Sequence, residues 1–204
     1  MKHPIAATYA GSYPDLAACP EADKPEYAMT GRSNVGKSSL INMLCQHKGL
    51  AHVSHRPGKT QTINFFSLAD KWHLVDLPGF GYAKISRRTR QGWHRMVTEY
   101  LLKRPSLACV FVLVDSSIEP NRLDIEFANW LGEHQIPFVL VFTKADKLPG
   151  NQLRTQVDRF LNTLGEHWNE LPPHFVTSSA RQTGRESLLD FIDEVNGRLQ
   201  TPQA

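Results

Sequence analysis

The sequence predicts a three-layer α/β domain, with a mostly parallel sheet between two layers of helices, and three observations predict it. Two strongly apolar runs, residues 107–114 and 138–142, are separated by a helical pattern over 122–133, the βαβ rhythm of a sheet buried on both faces. A glycine-rich turn joins an extended segment at 26–30 to a helical segment at 37–45. Between them, residues 62–68 and 72–75 read as two strands joined by the turn Ala69-Asp70-Lys71.

Taken in order, residues 1–25 are rich in Pro and Ala without a clear period, and are expected to form an irregular arm with a short strand against the sheet edge. Residues 37–45 carry helical apolar spacing at Leu40, Ile41 and Leu44. In 86–103 the apolar positions Trp93, Met96, Val97, Tyr100 and Leu101 share one helical face, and Pro105 ends the helix. Helices at 151–164 and 185–199 flank a short strand at 174–176. The expected division is an arm at 1–25, one domain at 26–200 and a tail at 201–204.

Composition narrows the function classes. In 204 residues, 41% are hydrophobic, enough for a sizeable core. The longest apolar run, 107–114, is far short of the ~20 residues that a membrane helix needs. Pro4, Tyr13, Pro14 and Asp15 interrupt any leader-like apolar stretch, so the expected compartment is the cytoplasm, with no membrane partner. Cys19, Cys45 and Cys109 are odd in number and lack C-x-x-C spacing, which argues against a disulfide framework and a zinc site. His47, His52 and His55 lie close in sequence without cysteines or an i,i+4 pair, and are not assigned to a metal. A net charge of +3 permits an anionic partner without demonstrating one.

The chemistry is carried by four segments at strand ends. Gly31-Arg32-Ser33-Asn34-Val35-Gly36-Lys37-Ser38 is a full G-x-x-x-x-G-K-S between strand and helix. Its glycines let backbone N–H groups converge on phosphate oxygens, the helix N-terminus adds its dipole, Lys37 bridges the outer phosphates and the Ser38 hydroxyl reaches Mg²⁺. Asp76-Leu77-Pro78-Gly79 follows the strand at 72–75, placing a carboxylate to hold a Mg²⁺-bound water and the Gly79 N–H against the γ-phosphate. Thr143-Lys144-Ala145-Asp146 follows the strand at 138–142. A carboxylate there accepts from the N1–H and N2–H₂ of guanine, a donor pair that adenine lacks, so Asp146 selects guanine. The Lys144 stem covers the base face, and Ser178-Ser179-Ala180 closes the pocket with backbone N–H groups. In the polar loop before the hairpin, Gly58, Lys59, Thr60, Gln61 and Thr62 complete the nucleotide side. Thr60 is the candidate second Mg²⁺ hydroxyl, with Thr62 in reserve. Metal ligands are thus Ser38, Thr60 and Asp76, and catalytic roles fall to Lys37, Thr60 and Gly79. Residues 50–61 and 79–85 are the candidate switch loops.

These segments, in this order, resemble the TrmE-Era-EngA-EngB-septin group of GTPases, and in detail its EngB (YihA/YsxC) family. The diagnostic strings are residues 31–40, Pro57-Gly58-Lys59-Thr60-Gln61 with Ile63-Asn64-Phe65-Phe66, and Asp76-Leu77-Pro78-Gly79-Phe80-Gly81-Tyr82-Ala83. The similarity covers residues 8–199. It implies a mixed six-stranded sheet, GTP and Mg²⁺ binding, and a role in assembling the large ribosomal subunit, with ribosomal RNA in the partner and an associated requirement in division and septation. Arg56 stands where a threonine is usual, and Thr143 replaces the asparagine of the general guanine motif.

Ras-like switches orient the attacking water with a glutamine after D-x-x-G, a place held here by Phe80, so intrinsic hydrolysis is expected to be slow. Asn34 either stabilises the loop turn or, as in potassium-activated relatives, helps ligate K⁺. No appended RNA-binding module is visible, which leaves Arg87, Arg88, Arg90, His94, Arg95, Lys103 and Arg104 as a candidate phosphate-contacting patch or a solvated helix face. Three functions remain open on the residues: a ribosome-assembly GTPase acting as a monomer, a nucleotide-gated module binding division proteins, and an ATPase, which Asp146 disfavours.

Overall fold

A computed structural model describes residues 5–52, 62–80, 87–166 and 168–200. Seven strands, β1 (Ala7–Tyr13), β2 (Glu26–Gly31), β3 (Ile63–Leu68), β4 (Trp72–Asp76), β5 (Leu107–Asp115), β6 (Phe138–Thr143) and β7 (His174–Val176), form one sheet in the order β1-β3-β4-β2-β5-β6-β7. The first two pairings, β1 with β3 and β3 with β4, are antiparallel, and the remaining four are parallel. Among the described residues five α-helices cover it: α1 (Lys37–Cys45), α2 (Arg87–Lys103), α3 (Arg122–Glu133), α4 (Gly150–Gly165) and α5 (Arg185–Gln200).

The fold class is therefore the one predicted, with seven strands among the described residues where the resemblance implies six. The extra strand is β1, from the segment read mainly as an irregular arm. Its sequence, Ala-Thr-Tyr-Ala-Gly-Ser-Tyr, has no apolar run because it lies at the sheet edge with most of its residues exposed or half-exposed. Pairing with β3, rather than its own hydrophobicity, makes it a strand.

Period-2 alternation divides the central strands between two cores. Tyr27, Met29, Phe111, Leu113, Val139 and Val141 pack with α1 and α5 through Leu40, Ile41, Leu44, Leu188 and Ile192. Their neighbours Ala28, Val110, Val112, Leu140 and Phe142 pack on the other side with Tyr100, Ala128, Leu131 and Phe160 of α2, α3 and α4. Both faces of β2 are consequently buried along its whole length, although its sequence is only partly apolar. Partners resolve most of that conflict. The Tyr27 hydroxyl donates to Asn196 Oδ1 at 2.8 Å and lies 3.2 Å from Ile192 O. Glu26 is fully buried, accepts from the Tyr100 hydroxyl, and is held by Arg104 Nε at 2.9–3.0 Å.

That ion pair corrects the expected surface patch. Arg104 is 6% exposed at its side chain, paired with Glu26 and donating to Pro20 O at 2.9 Å, so it cannot meet a phosphate backbone. It instead anchors the carboxyl end of α2 to the start of β2. Arg95 and Lys103 both reach Glu99, and the side chains of Arg87, Arg88 and Arg90 lie outside the described residues.

Candidate functional site

The parallel strands β2, β5 and β6 end side by side, with Gly31 opposite Leu113 and Asp115 opposite Thr143. All four described motif segments leave the sheet at this end. Gly31 has φ of 152°, and a Cβ there would stand 2.7 Å from Leu113 O and 3.1 Å from Val35 Cγ1, so only glycine lets the chain turn this close to β5. Asn34 and Gly36 also take positive φ, 64° and 110°, wrapping residues 31–36 into a concave loop.

Lys37 then opens α1, whose N-terminus carries neither a side-chain cap nor an acidic residue in its first turn. Helix α3, by contrast, is capped by Asn121 Oδ1, which accepts from Leu123 N–H at 3.0 Å. An uncapped helix start with unassisted N–H groups, facing a concave loop, is a ready anion site.

Asp76 ends β4 beside it, 4% exposed, with Oδ1 at 4.0 Å from Lys37 Nζ. Burial raises the pKa of this carboxyl, while Lys37 and a hydrogen bond from Asn64 oppose the shift. Its Oδ1 is buried without a hydrogen-bond partner. An orphaned carboxylate oxygen beside a phosphate loop fits a hydrated divalent cation, with Ser38 in the first turn of α1 as the companion ligand. When bound there, such an ion would neutralise charge on the outer phosphates.

The segment after Asp76 is tied to the loop by backbone bonds. Leu77 N–H donates to Met29 O at 3.0 Å, Phe80 N–H to Gly31 O at 3.1 Å, and Ser33 N–H to Phe80 O at 3.3 Å. Pro78 lies between these bonds. A Cβ on Gly79 would stand 3.0 Å from Gly31 O and 3.1 Å from Lys37 Nζ, which places this glycine directly against the glycine-rich loop and the Lys37 ammonium. The Phe80 ring packs on Phe127 of α3 with centroids 4.8 Å apart.

At the end of β6, the Thr143 hydroxyl donates to Val35 O at 2.7 Å, linking that strand end to the glycine-rich loop. Lys144 takes φ of 60° and directs Nζ to Asp115 Oδ2 at 2.6 Å. Ala145 N–H donates to Thr177 O at 3.1 Å. Asp146 Oδ1 accepts from Ser178 Oγ at 2.5 Å, and that bond, ahead of the Arg181 and Lys147 charges, holds the carboxyl below its ordinary pKa. Ser178 Oγ in turn accepts from Arg181 N–H at 3.0 Å, which closes a turn over residues 178–181 that includes Ser179 and Ala180.

Three further side chains stand at this site without having been assigned to it from the sequence. Asp115 holds Lys144, Asn64 faces Asp76, and Asp124 of α3 accepts twice from Arg32 Nε, at 3.1 and 2.9 Å. Burial pushes the Asp124 carboxyl up to about 6 against the pull of Arg32. The Arg32 guanidinium is thus committed to α3. Asp115, a polar residue ending an apolar strand, and Asn64, inside the string Ile63-Asn64-Phe65-Phe66, leave a readable trace in the sequence; Asp124 leaves none. Gly58, Lys59, Thr60 and Gln61 lie outside the described residues, and Thr62 sits just before β3 with its hydroxyl on Asn64 Oδ1 at 2.9 Å.

With this geometry in view, comparison with known proteins identifies the class. A family described as 50S ribosome-binding GTPases matches residues 26–144. A probable GTP-binding protein EngB of Porphyromonas gingivalis is 51% identical over 195 residues, spanning 96% of this chain and 97% of that one. The chain belongs to the EngB family of GTP-binding proteins. A second EngB relative, from Flavobacterium psychrophilum, is 52% identical over 182 residues, 89% of each chain. The crystal structure of a probable GTP-binding protein engB superposes with a TM-score of 0.66 at 21% identity, covering 85% of this chain and 99% of that one, and supports the shared fold. As an EngB-family GTPase, the chain binds GTP and GDP, and among its described residues no helix is long and apolar enough to cross a membrane.

Proposed function

We propose that this chain is a Mg²⁺-dependent GTPase with slow intrinsic turnover, whose nucleotide state acts as a switch in assembling the large ribosomal subunit. The observation that carries the reading is the meeting, at one end of the sheet, of an uncapped helix start, Lys37, the orphaned Asp76 oxygen and Asp146. In this reading Ser38, Asp76 and Thr60 hold the cation. Lys37 and the backbone N–H of Gly79 stabilise charge that develops on the γ-phosphate, and Thr60 engages only while that phosphate is present. Gly31 to Gly36, residues 58–62 and Leu77-Pro78 contact the phosphates and metal shell. Thr143, Lys144, Ala145, Asp146, Ser178, Ser179 and Ala180 form the guanine pocket.

Slow turnover follows from Phe80. Its ring is packed on Phe127 and carries no group that can orient a water. Asn34, at the turn of the loop, is the residue through which K⁺ would supply the missing charge. GTP hydrolysis in KCl is then expected to exceed that in NaCl at equal ionic strength by about 10², on the scale of one added electrostatic contact in the transition state. Equal rates remove K⁺ from the mechanism.

The ribosomal partner is supported by the description of the matching family, not by a surface feature. The chain would act as a cytoplasmic monomer on the subunit or its precursor, its domain at 26–200 with the arm packed on it, and septation would depend on it through ribosome supply. Cosedimentation tests this directly: the GTP-bound protein should pellet with large subunits and the GDP-bound protein should stay in solution. Nucleotide-independent pelleting, or GTP-dependent capture by division proteins alone, would refute the assembly role.

A further inference from the structure

Strands β5 and β6 end side by side, and the residues after β5 brace the turn that carries Asp146. Asp115, last in β5, stands opposite Thr143, last in β6. Ser116 N–H and Oγ both donate to Thr143 O, at 3.1 and 2.6 Å. Asp115 gives each of its oxygens a separate task. Oδ1 accepts from Ser117 N–H at 3.0 Å and from Ser117 Oγ at 2.6 Å, which fixes the carboxylate on its own loop. Oδ2 takes the Lys144 ammonium at 2.6 Å.

Lys144 needs such a hold. Its backbone is left-handed, with φ of 60° and ψ of 31°, and it precedes the 3₁₀ turn Ala145–Lys147 without a side-chain cap. A lysine stem is flexible, so an unheld one samples many rotamers. The ion pair adds little to stability, because the lysine side chain is 27% exposed and the carboxylate side chain 12%. Its contribution is position. With the backbone set by the turn and Nζ set on Asp115, the methylenes between them are confined to a path joining the two strand ends, partly open to solvent.

We propose that Asp115 is a positioning residue for the nucleotide base: by holding the Lys144 ammonium, it sets the lysine stem in place as one wall of the guanine pocket before the nucleotide arrives. Asp115 touches neither base nor phosphate. The gain in affinity is the conformational freedom that Lys144 has already given up. The inference rests on the reading of Lys144 as the cover of the base face, and the two can fail separately.

Asp115→Asn separates the two oxygens. Asparagine keeps an acceptor for Ser117, so the loop turn survives, and it turns an NH₂ toward an ammonium that can only donate. GDP binding, measured by calorimetric titration, is expected to weaken about tenfold, the upper scale for a rotamer-rich side chain that must be immobilised on binding. Lys144→Met keeps an apolar stem without the ammonium, and should weaken GDP binding at least as much. In the double variant, Asp115→Asn should cost no more than about twofold further, since nothing remains for it to hold. An undiminished cost in the Lys144→Met background would assign Asp115 to its own loop and overturn the proposal, as would unaltered GDP affinity in Asp115→Asn alone. Unaltered affinity in Lys144→Met would sink the base-cover reading itself, and the proposal with it. If Asp115→Asn does not fold, Asp115→Ala enters the same cycle, and the coupling between positions 115 and 144, again expected at about tenfold, decides in the same way.

Discussion

Asp146→Asn is expected to weaken GTP and GDP binding by about 10⁴ and to make the protein prefer xanthine nucleotides, because a site built around a hydrogen bond rejects the mismatched analogue on that scale. Guanine presents two donors, N1–H and N2–H₂, to one carboxylate. Asparagine offers one acceptor and one donor, so its NH₂ would confront the guanine amino group. Xanthine keeps N1–H and replaces the amino group by a carbonyl, which restores both bonds. The surroundings favour a clean exchange: the carboxylate is only partly buried, and its Ser178 partner can donate equally to an amide oxygen. Competition titration with GDP, XDP and ADP measures the outcome. Unaltered GDP affinity would mean that Asp146 does not read the base.

Lys37→Ala should reduce single-turnover GTP hydrolysis by about 10³ or more and nucleotide affinity by about 10², the scale of removing a preorganised cation from a transferring phosphoryl group. Two effects combine. The outer phosphates lose a charge-assisted donor, and Asp76, whose pKa burial already raises, loses the cation that opposes the shift. Lys37→Arg should not rescue the rate, since Gly79 and the loop leave no room around the ammonium for a planar guanidinium: a single Cβ on Gly79 would already come within 3.1 Å of Nζ. The fold should survive, because Lys37 sits at the sheet end outside both cores. Rapid-mix hydrolysis alongside thermal unfolding separates the two, and near-normal turnover in the alanine variant would refute the assigned role.

The helices were legible where a periodic apolar face coincides with a sharp start. Helix α3 runs over the predicted residues 122–133, and α1 over 37–45, because glycine or asparagine precedes each and the apolar spacing is unambiguous. The central strands were legible for a related reason: a strand buried on both faces must be apolar nearly throughout. Strand β1 was only partly legible, since an edge strand satisfies one partner and one core face, and residues as small as Ala10 and Gly11 serve it. Arg104 illustrates the opposite failure. In sequence it continues a run of cations, and in space it is the buried partner of Glu26, 78 residues away.

The same division holds at the site. The sequence by itself singled out the glycine-rich loop, Asp76 and Asp146, which the structure brings to one end of the sheet, because each is a residue type at a fixed spacing from a strand end, and local chain geometry sets where it stands. Only the tertiary structure decided which side chains hold those groups in place. Asn64 behind Asp76, Asp115 on Lys144 and Asp124 on Arg32 come from other strands or helices, 12, 29 and 92 residues distant, and meet their partners solely because sheet register and helix packing bring them there. Hydrogen bonds of that kind depend on ångström-scale placement across the fold, which no local pattern encodes.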